Sequence, residues 1–245
     1  VPRRSGWRWL AVILLLAVAA WLGWREFAAY VRAHPEQFPW TPLSLADPAG
    51  PFTARKLAAL GDDPAQCRAL LAAVGDRDRP APPVAAATPQ CGYADGMRVV
   101  AEPGAPDFAP GGLVTACPVA AALRLWLPMV QQAARRRLGA RVTRIEHFGS
   151  YSCRRLYGGS DGPWSEHATA DALDIAGFRL ADGRRVTVAA DWVGDGAEAA
   201  FLRDVRGGAC RLFATVLSPD YNEAHRDHFH LDQAARGGLR GTMCR

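Results

Sequence analysis

The apolar positions set the first division of the chain. Residues 9–24, W-L-A-V-I-L-L-L-A-V-A-A-W-L-G-W, carry no charge. As a helix this run spans about 24 Å, slightly short of a hydrocarbon core of roughly 30 Å but workable with anchors at its ends. Trp7, Trp9, Trp21 and Trp24 sit where an interfacial aromatic belt belongs, and Arg3, Arg4 and Arg8 before the run favour a cytoplasmic N-terminus. A cleaved signal peptide competes with this reading, because Ala-Val-Ala at 17–19 fits a small-residue cleavage pattern. The paired tryptophans at the exit favour the anchor. Both readings place the rest of the chain outside.

Residues 25–51 are polar or proline-rich, so we divide the chain into an anchor (1–30), a linker (31–51) and a folded domain (52–245), whose first part, 52–138, is helical in character. Thr53 caps a short helix to residue 60, and Asp63-Pro64 opens another through residue 74. A proline-rich connection, 77–89, precedes a strand at 97–101. Cys117-Pro118 starts a long amphipathic helix in which Pro128 predicts a kink. Residues 141–148 alternate like a strand, with Val142, Arg144, Glu146 and Phe148 on one face. Strands at 172–178 and 185–190 flank Asp182-Gly183 as a hairpin. Residues 198–217 read as helix interrupted at Gly207-Gly208, and a last strand begins near His228. The predicted class is α+β: a small antiparallel sheet carrying a zinc site, flanked by helices and preceded by one transmembrane helix.

Composition changes this picture only at two points. A formal charge of +5 permits an anionic partner without choosing one, and no basic run interleaves with aromatics as a nucleic-acid groove requires, so nucleic acid is not expected. Six cysteines, none in a C-x-x-C pair, suit three disulfides in an oxidising compartment. Fifteen pairings are possible, and nearest neighbours would join Cys67 to Cys91 and Cys210 to Cys244. Trp126, Trp164 and Trp192 are expected in the core or in a pocket wall.

The chemistry lies late. S-E-H-A-T-A-D-A-L-D (165–174) and H-R-D-H-F-H (225–230) hold four of the six histidines, and Asp174 sits inside an otherwise apolar run. An ionised carboxylate is costly to bury unless paired or metal-bound. A divalent cation held by His167, Asp174 and His230 would supply that compensation, and two imidazoles with one carboxylate are a ligand set for one catalytic zinc ion. On a strand, His228 and His230 point one way and Phe229 and Leu231 point to the core. The bland alternatives are a core histidine, an Arg154 in an ordinary surface ion pair, and an Asp227 that caps the turn before the strand.

The first motif resembles the S-x-H-x-x-G-x-A-x-D signature of metallopeptidases grouped with lysostaphin, D-Ala-D-Ala peptidases and sonic hedgehog. H-x-x-H-x-H resembles the second motif of murein endopeptidases. More closely, G-S-Y-S-C-R, S-E-H-A-x-A-x-A-L-D-I, S-P-D-Y-N and D-H-F-H-L-D look like the bacterial extensin-like proteins, over roughly residues 42–245. The wider resemblance implies a zinc hydrolase acting on peptide bonds of peptidoglycan, and the N-terminal run places it in the periplasm, tied to the inner membrane. A non-catalytic cell-wall binding or scaffolding module is the alternative. It also implies that His167, Asp174 and His230 bind zinc, and that Arg154 steadies a developing oxyanion. His228 is favoured as general base over Asp227, while Ser165 and His225 support the site or touch substrate. Ala170 departs from the signature's glycine, which would permit a backbone conformation that alanine resists.

Overall fold

The structure is a computed structural model that describes residues 6–86, 88–234 and 242–245. Arg3 and Arg4 therefore lie outside the described residues. Helix α1, Gly6–Ala33, has no buried residue and is long and apolar enough to cross a membrane or to serve as a signal sequence. It runs nine residues beyond Trp24, because Arg25, Glu26 and Arg32 are polar yet good helix formers. Pro35 ends it and opens a 3-10 turn, Pro35–Gln37. The proline-rich segment that follows is not loose throughout: Leu45 and Ala49 are buried in the main core, and Arg211 Nη2 donates to the Ala49 carbonyl at 2.6 Å.

Two short helices come next, α2 (Thr53–Ala58) and α3 (Pro64–Ala73). Asp63 caps α3 by accepting from the Gln66 N–H at 2.9 Å, with Pro64 at the first helical position. Short strands β1 (Arg79–Pro80), β2 (Val84–Ala85), β3 (Gly92–Tyr93), β4 (Gly96–Arg98), β5 (Asp107–Ala109) and β6 (Val114–Ala116) lead to α4, Cys117–Leu138. Pro128 lies exposed inside α4, and the helix continues past it. Gly139, in the left-handed region at φ 67°, closes it.

The remaining elements are β7 (Val142–Gly149), β8 (Ala172–Leu180), β9 (Arg185–Thr187), α5 (Val188–Asp191), α6 (Ala197–Ala209), β10 (Thr215–Leu217), β11 (Phe229–Asp232) and β12 (Met243–Cys244). They build the main sheet in the order β12-β10-β11-β8-β7-β5, with β9 paired to β8. Its centre is antiparallel; β5 on β7 and β12 on β10 are parallel edges. Three expectations change here. The hairpin's second arm stops at Thr187, whose side chain accepts from the Ala190 N–H and starts α5 instead. The glycine pair does not interrupt α6, which packs along α4 through this turn, with Gly208 against Met129 and Trp126. Residues 215–217 are a fully buried strand rather than helix.

Register shifts in the β7–β8 pairing explain which side chains face the helices. An extra residue on β7 between Val142 and Arg144 moves the buried set to Val142, Ile145 and His147, so the simple alternation expected of this strand fails. On β8, Ile175 pairs with His147 and Gly177 with Glu146, leaving Ala176 unmatched. That bulge turns Phe178 to the same side as Leu173 and Ile175, against Trp126 of α4 and Phe201 of α6 at ring separations of 6.4 and 5.1 Å. The Trp126 indole donates to the Val205 carbonyl at 3.0 Å and joins the two helices. Asp174 is left on the opposite face.

Three disulfides close the fold: Cys67–Cys117, Cys91–Cys153 and Cys210–Cys244. The last is the nearest-neighbour pairing. Cys67 does not pair with Cys91, because α3 packs on α4 and brings it to Cys117, while the β2–β3 ribbon carries Cys91 to the segment after β7.

Candidate metal centre

Strand pairing places Asp174 of β8 directly opposite His230 of β11. His167 arrives from the preceding 3-10 turn, Glu166–Thr169, whose start is fixed by the Ser165 hydroxyl accepting from the His167 N–H at 3.3 Å. Gly149, at φ 121°, turns the chain out of β7. Ser150 can then accept the His167 Nδ1–H at its carbonyl, 2.6 Å away, and donate its own hydroxyl to the Ala170 carbonyl at 3.1 Å. The Ser152 N–H holds the His167 carbonyl at 2.9 Å.

These contacts fix both imidazole tautomers. His167 spends Nδ1–H on Ser150, so its Nε2 lone pair faces inward. His230 donates Nε2–H to Asp232 at 3.0 Å, so Nδ1 faces inward. The two nitrogens stand 3.1 Å apart, His167 Nε2 is 3.1 Å from Asp174 Oδ2, and His230 Nδ1 is 3.0 Å from Asp174 Oδ1. A tetrahedral zinc with ligands at about 2.0–2.1 Å has ligand-to-ligand edges of about 3.3 Å. Among the described residues this is the one group of three or more such side chains that could hold a metal ion, and its donor set and spacing fit.

Two lone pairs and a carboxylate in contact need a positive charge among them. Burial alone would push Asp174 up, but its contacts with the His167 and His230 imidazoles hold it well below the carboxylate range. Burial would likewise lower His230, yet Asp174 and Asp232 override it and raise it to about 9 in the metal-free protein. His230's stabilising contribution is thus complete below its ordinary value of 6.5 and is lost as pH climbs through 9. Asp174's is present above 3.8 and is lost in acid. The metal-free protein should therefore melt at lower temperature as pH rises from neutral to about 9, while the zinc-loaded protein should not, and zinc uptake near neutral pH should release about one proton per ion. Scanning calorimetry and an indicator-dye titration read both.

The group lies in the floor of a cleft of about 450 Å³. Arg154 reaches over it, Nη2 at 3.8 Å from Asp174 Oδ2. His228 precedes β11 rather than opening it, and its Nε2 lies 3.6 Å from Asp174 Oδ1. Asp227, the rival expected in its place, instead accepts the His228 Nδ1–H at 2.9 Å. The two candidates form one pair. His225 is buried, bonds Asn222 Oδ1 through Nδ1 at 2.6 Å and is lowered to about 4, by burial and then by His228 and His230. Phe148 packs edge-on to His228, and exposed Tyr157, held by the Asn222 amide, stands at the rim. Sequence reasoning did not single out Asp232, Ser150 or Asn222. Asp232 was legible, two residues beyond His230 and so on its face of the strand; Ser150 acts through its carbonyl, which no side-chain pattern reveals. Trp126 and Trp192 are buried, whereas Trp164 is half-buried beneath the Arg155 guanidinium and outside the cleft.

Ala170 occupies the left-handed region that its glycine counterpart suggests, at φ 59° and ψ 17°. Its carbonyl accepts from Ala116 N–H at 2.8 Å and from Ser150, which holds the strained residue in place. Ala170→Gly relieves about 1–2 kcal/mol of strain but removes a buried methyl worth about 0.8 kcal/mol and adds about 0.5–1 kcal/mol of unfolded-state entropy. The terms cancel, so urea unfolding of the variant should lie within about 1 kcal/mol of the parent, with zinc content unchanged.

The family model described as extensin-like protein C-terminus matches residues 65–245. No curated protein and no solved structure matches the chain.

Proposed function

We propose that this chain, which belongs to the extensin-like protein C-terminus family, is an exported, membrane-anchored, zinc-dependent hydrolase of peptide bonds in peptidoglycan. The observation that carries the reading is the triangle of His167 Nε2, Asp174 and His230 Nδ1, with edges near those of a zinc tetrahedron, at the floor of a cleft that also presents a histidine paired with a carboxylate. The likeness to the lysostaphin group rests on the motifs alone. Three disulfides, with no free cysteine among the described residues, support an oxidising compartment. With α1 as an anchor and the N-terminus cytoplasmic, that compartment is the periplasm.

Zinc, when bound, supplies Lewis acidity toward a scissile carbonyl and toward water. The protein's own groups do the rest. Asp227 holds Nδ1–H of His228, leaving Nε2 to take a proton and return it to the leaving amine. The Arg154 guanidinium, half exposed over the cleft, meets the oxygen on which charge develops. Low-lying His225 stays neutral and adds no competing positive charge. Phe148 and Tyr157 flank the path of an extended chain.

The test is to incubate the full-length protein, in detergent, with purified peptidoglycan, with and without a chelator, and to analyse released fragments by mass spectrometry. New amine and carboxyl ends that vanish with chelator and return with zinc support the reading. A zinc-loaded protein that releases nothing sinks it and leaves a wall-binding module that keeps the fold.

A further inference from the structure

Beyond the transmembrane run, α1 carries a second apolar feature that the folded domain does not cover. Trp24, Phe27 and Tyr30 are 67, 43 and 48% exposed. The 3-10 turn Pro35–Gln37 reverses the chain, so that Phe38 packs edge-on to Phe27 at 5.9 Å and to Tyr30 at 6.1 Å, and Trp40, 67% exposed, packs on Phe38 at 5.1 Å. The result is one aromatic patch continuous with the apolar helix, covering roughly the first 9 Å beyond Trp24 at 1.5 Å per residue. A headgroup layer is about 5–7 Å thick on each side of the hydrocarbon core, and amphipathic rings favour that layer.

The patch is also bound to the domain. Thr41 Oγ1 donates to the Phe38 carbonyl at 2.8 Å and accepts from Lys56 Nζ of α2 at 2.9 Å, and Lys56 donates to the Pro35 carbonyl at 3.3 Å. A few residues on, Leu45 and Ala49 enter the core. We infer that Phe38 and Trp40 form a membrane-docking surface that sits in the headgroup layer of the bilayer α1 crosses, so that the domain is seated on the lipid rather than hung from a flexible tether. The inference rests on α1 being an anchor and not a cleaved signal.

The test reconstitutes the full chain in phosphatidylcholine nanodiscs and subtracts the emission of Trp40→Phe from that of the parent. The difference spectrum is expected to be lost when the lipid chains are brominated near the headgroup, and to resist iodide added to the solution. A Trp40 signal quenched by iodide and untouched by bromolipid, while the remaining tryptophan emission is quenched by it, overturns docking but keeps the anchor. If the remaining emission also ignores bromolipid, the anchor reading fails and docking with it.

Discussion

Asp174→Ala should abolish zinc retention, reducing metal from one ion per chain to background in mass-spectrometric analysis after gel filtration. The carboxylate is the one anionic member of the triangle, and it contacts both imidazole nitrogens at 3.0–3.1 Å. Removing a partner that merely orients a ligand costs about 10–100-fold in affinity, so removing a ligand must cost more. Asp232→Asn supplies the comparison. It leaves all three ligands but weakens the bond that fixes the His230 tautomer, and should fall in that smaller range. The domain should remain folded in both, held by its three disulfides and by a core on the other side of the sheet. Zinc content unchanged in Asp174→Ala would dismiss the metal centre outright.

His228→Ala should keep its zinc and lose about 10²–10⁴-fold in hydrolytic rate, the usual contribution of a positioned acid–base group. The side chain is close to the triangle but not part of it, since its Nε2 is 3.6 Å from Asp174 Oδ1. Asp227→Asn should cost less, because the imidazole remains and only the group holding its Nδ1–H is weakened. Release of muropeptides against pH, with metal content measured on the same samples, separates the roles. A fully active His228→Ala beside an inactive Asp227→Ala would transfer the proton to the carboxylate.

Much of the site could be read because its residues obey local rules. Strand parity sends His230 and Asp232 one way and Phe229 and Leu231 the other, and a carboxylate in an apolar run announced that Asp174 needed partners. The α3 cap at Asp63-Pro64 and the start of α4 at Cys117-Pro118 were legible for the same reason. What escaped depends on contacts between distant parts. The bulges in β7 and β8 shift phase without any sequence mark, α6 passes through two glycines while packed along α4, and Cys67 finds Cys117 only once α3 lies on α4. The choice between His228 and Asp227 could not be made from spacing, since the two side chains bond to each other.

The bond between Cys91 and Cys153 also sets a time. It fastens the residue next to Arg154, and closing its 62-residue separation is worth about 4 kcal/mol. Where that pair is reduced the thiols stay apart, and Arg154 hangs from an unfastened segment of the cleft wall. Oxidation of the pair completes the cleft. A chain in which this pair stays reduced would be an unfinished version of the proposed hydrolase.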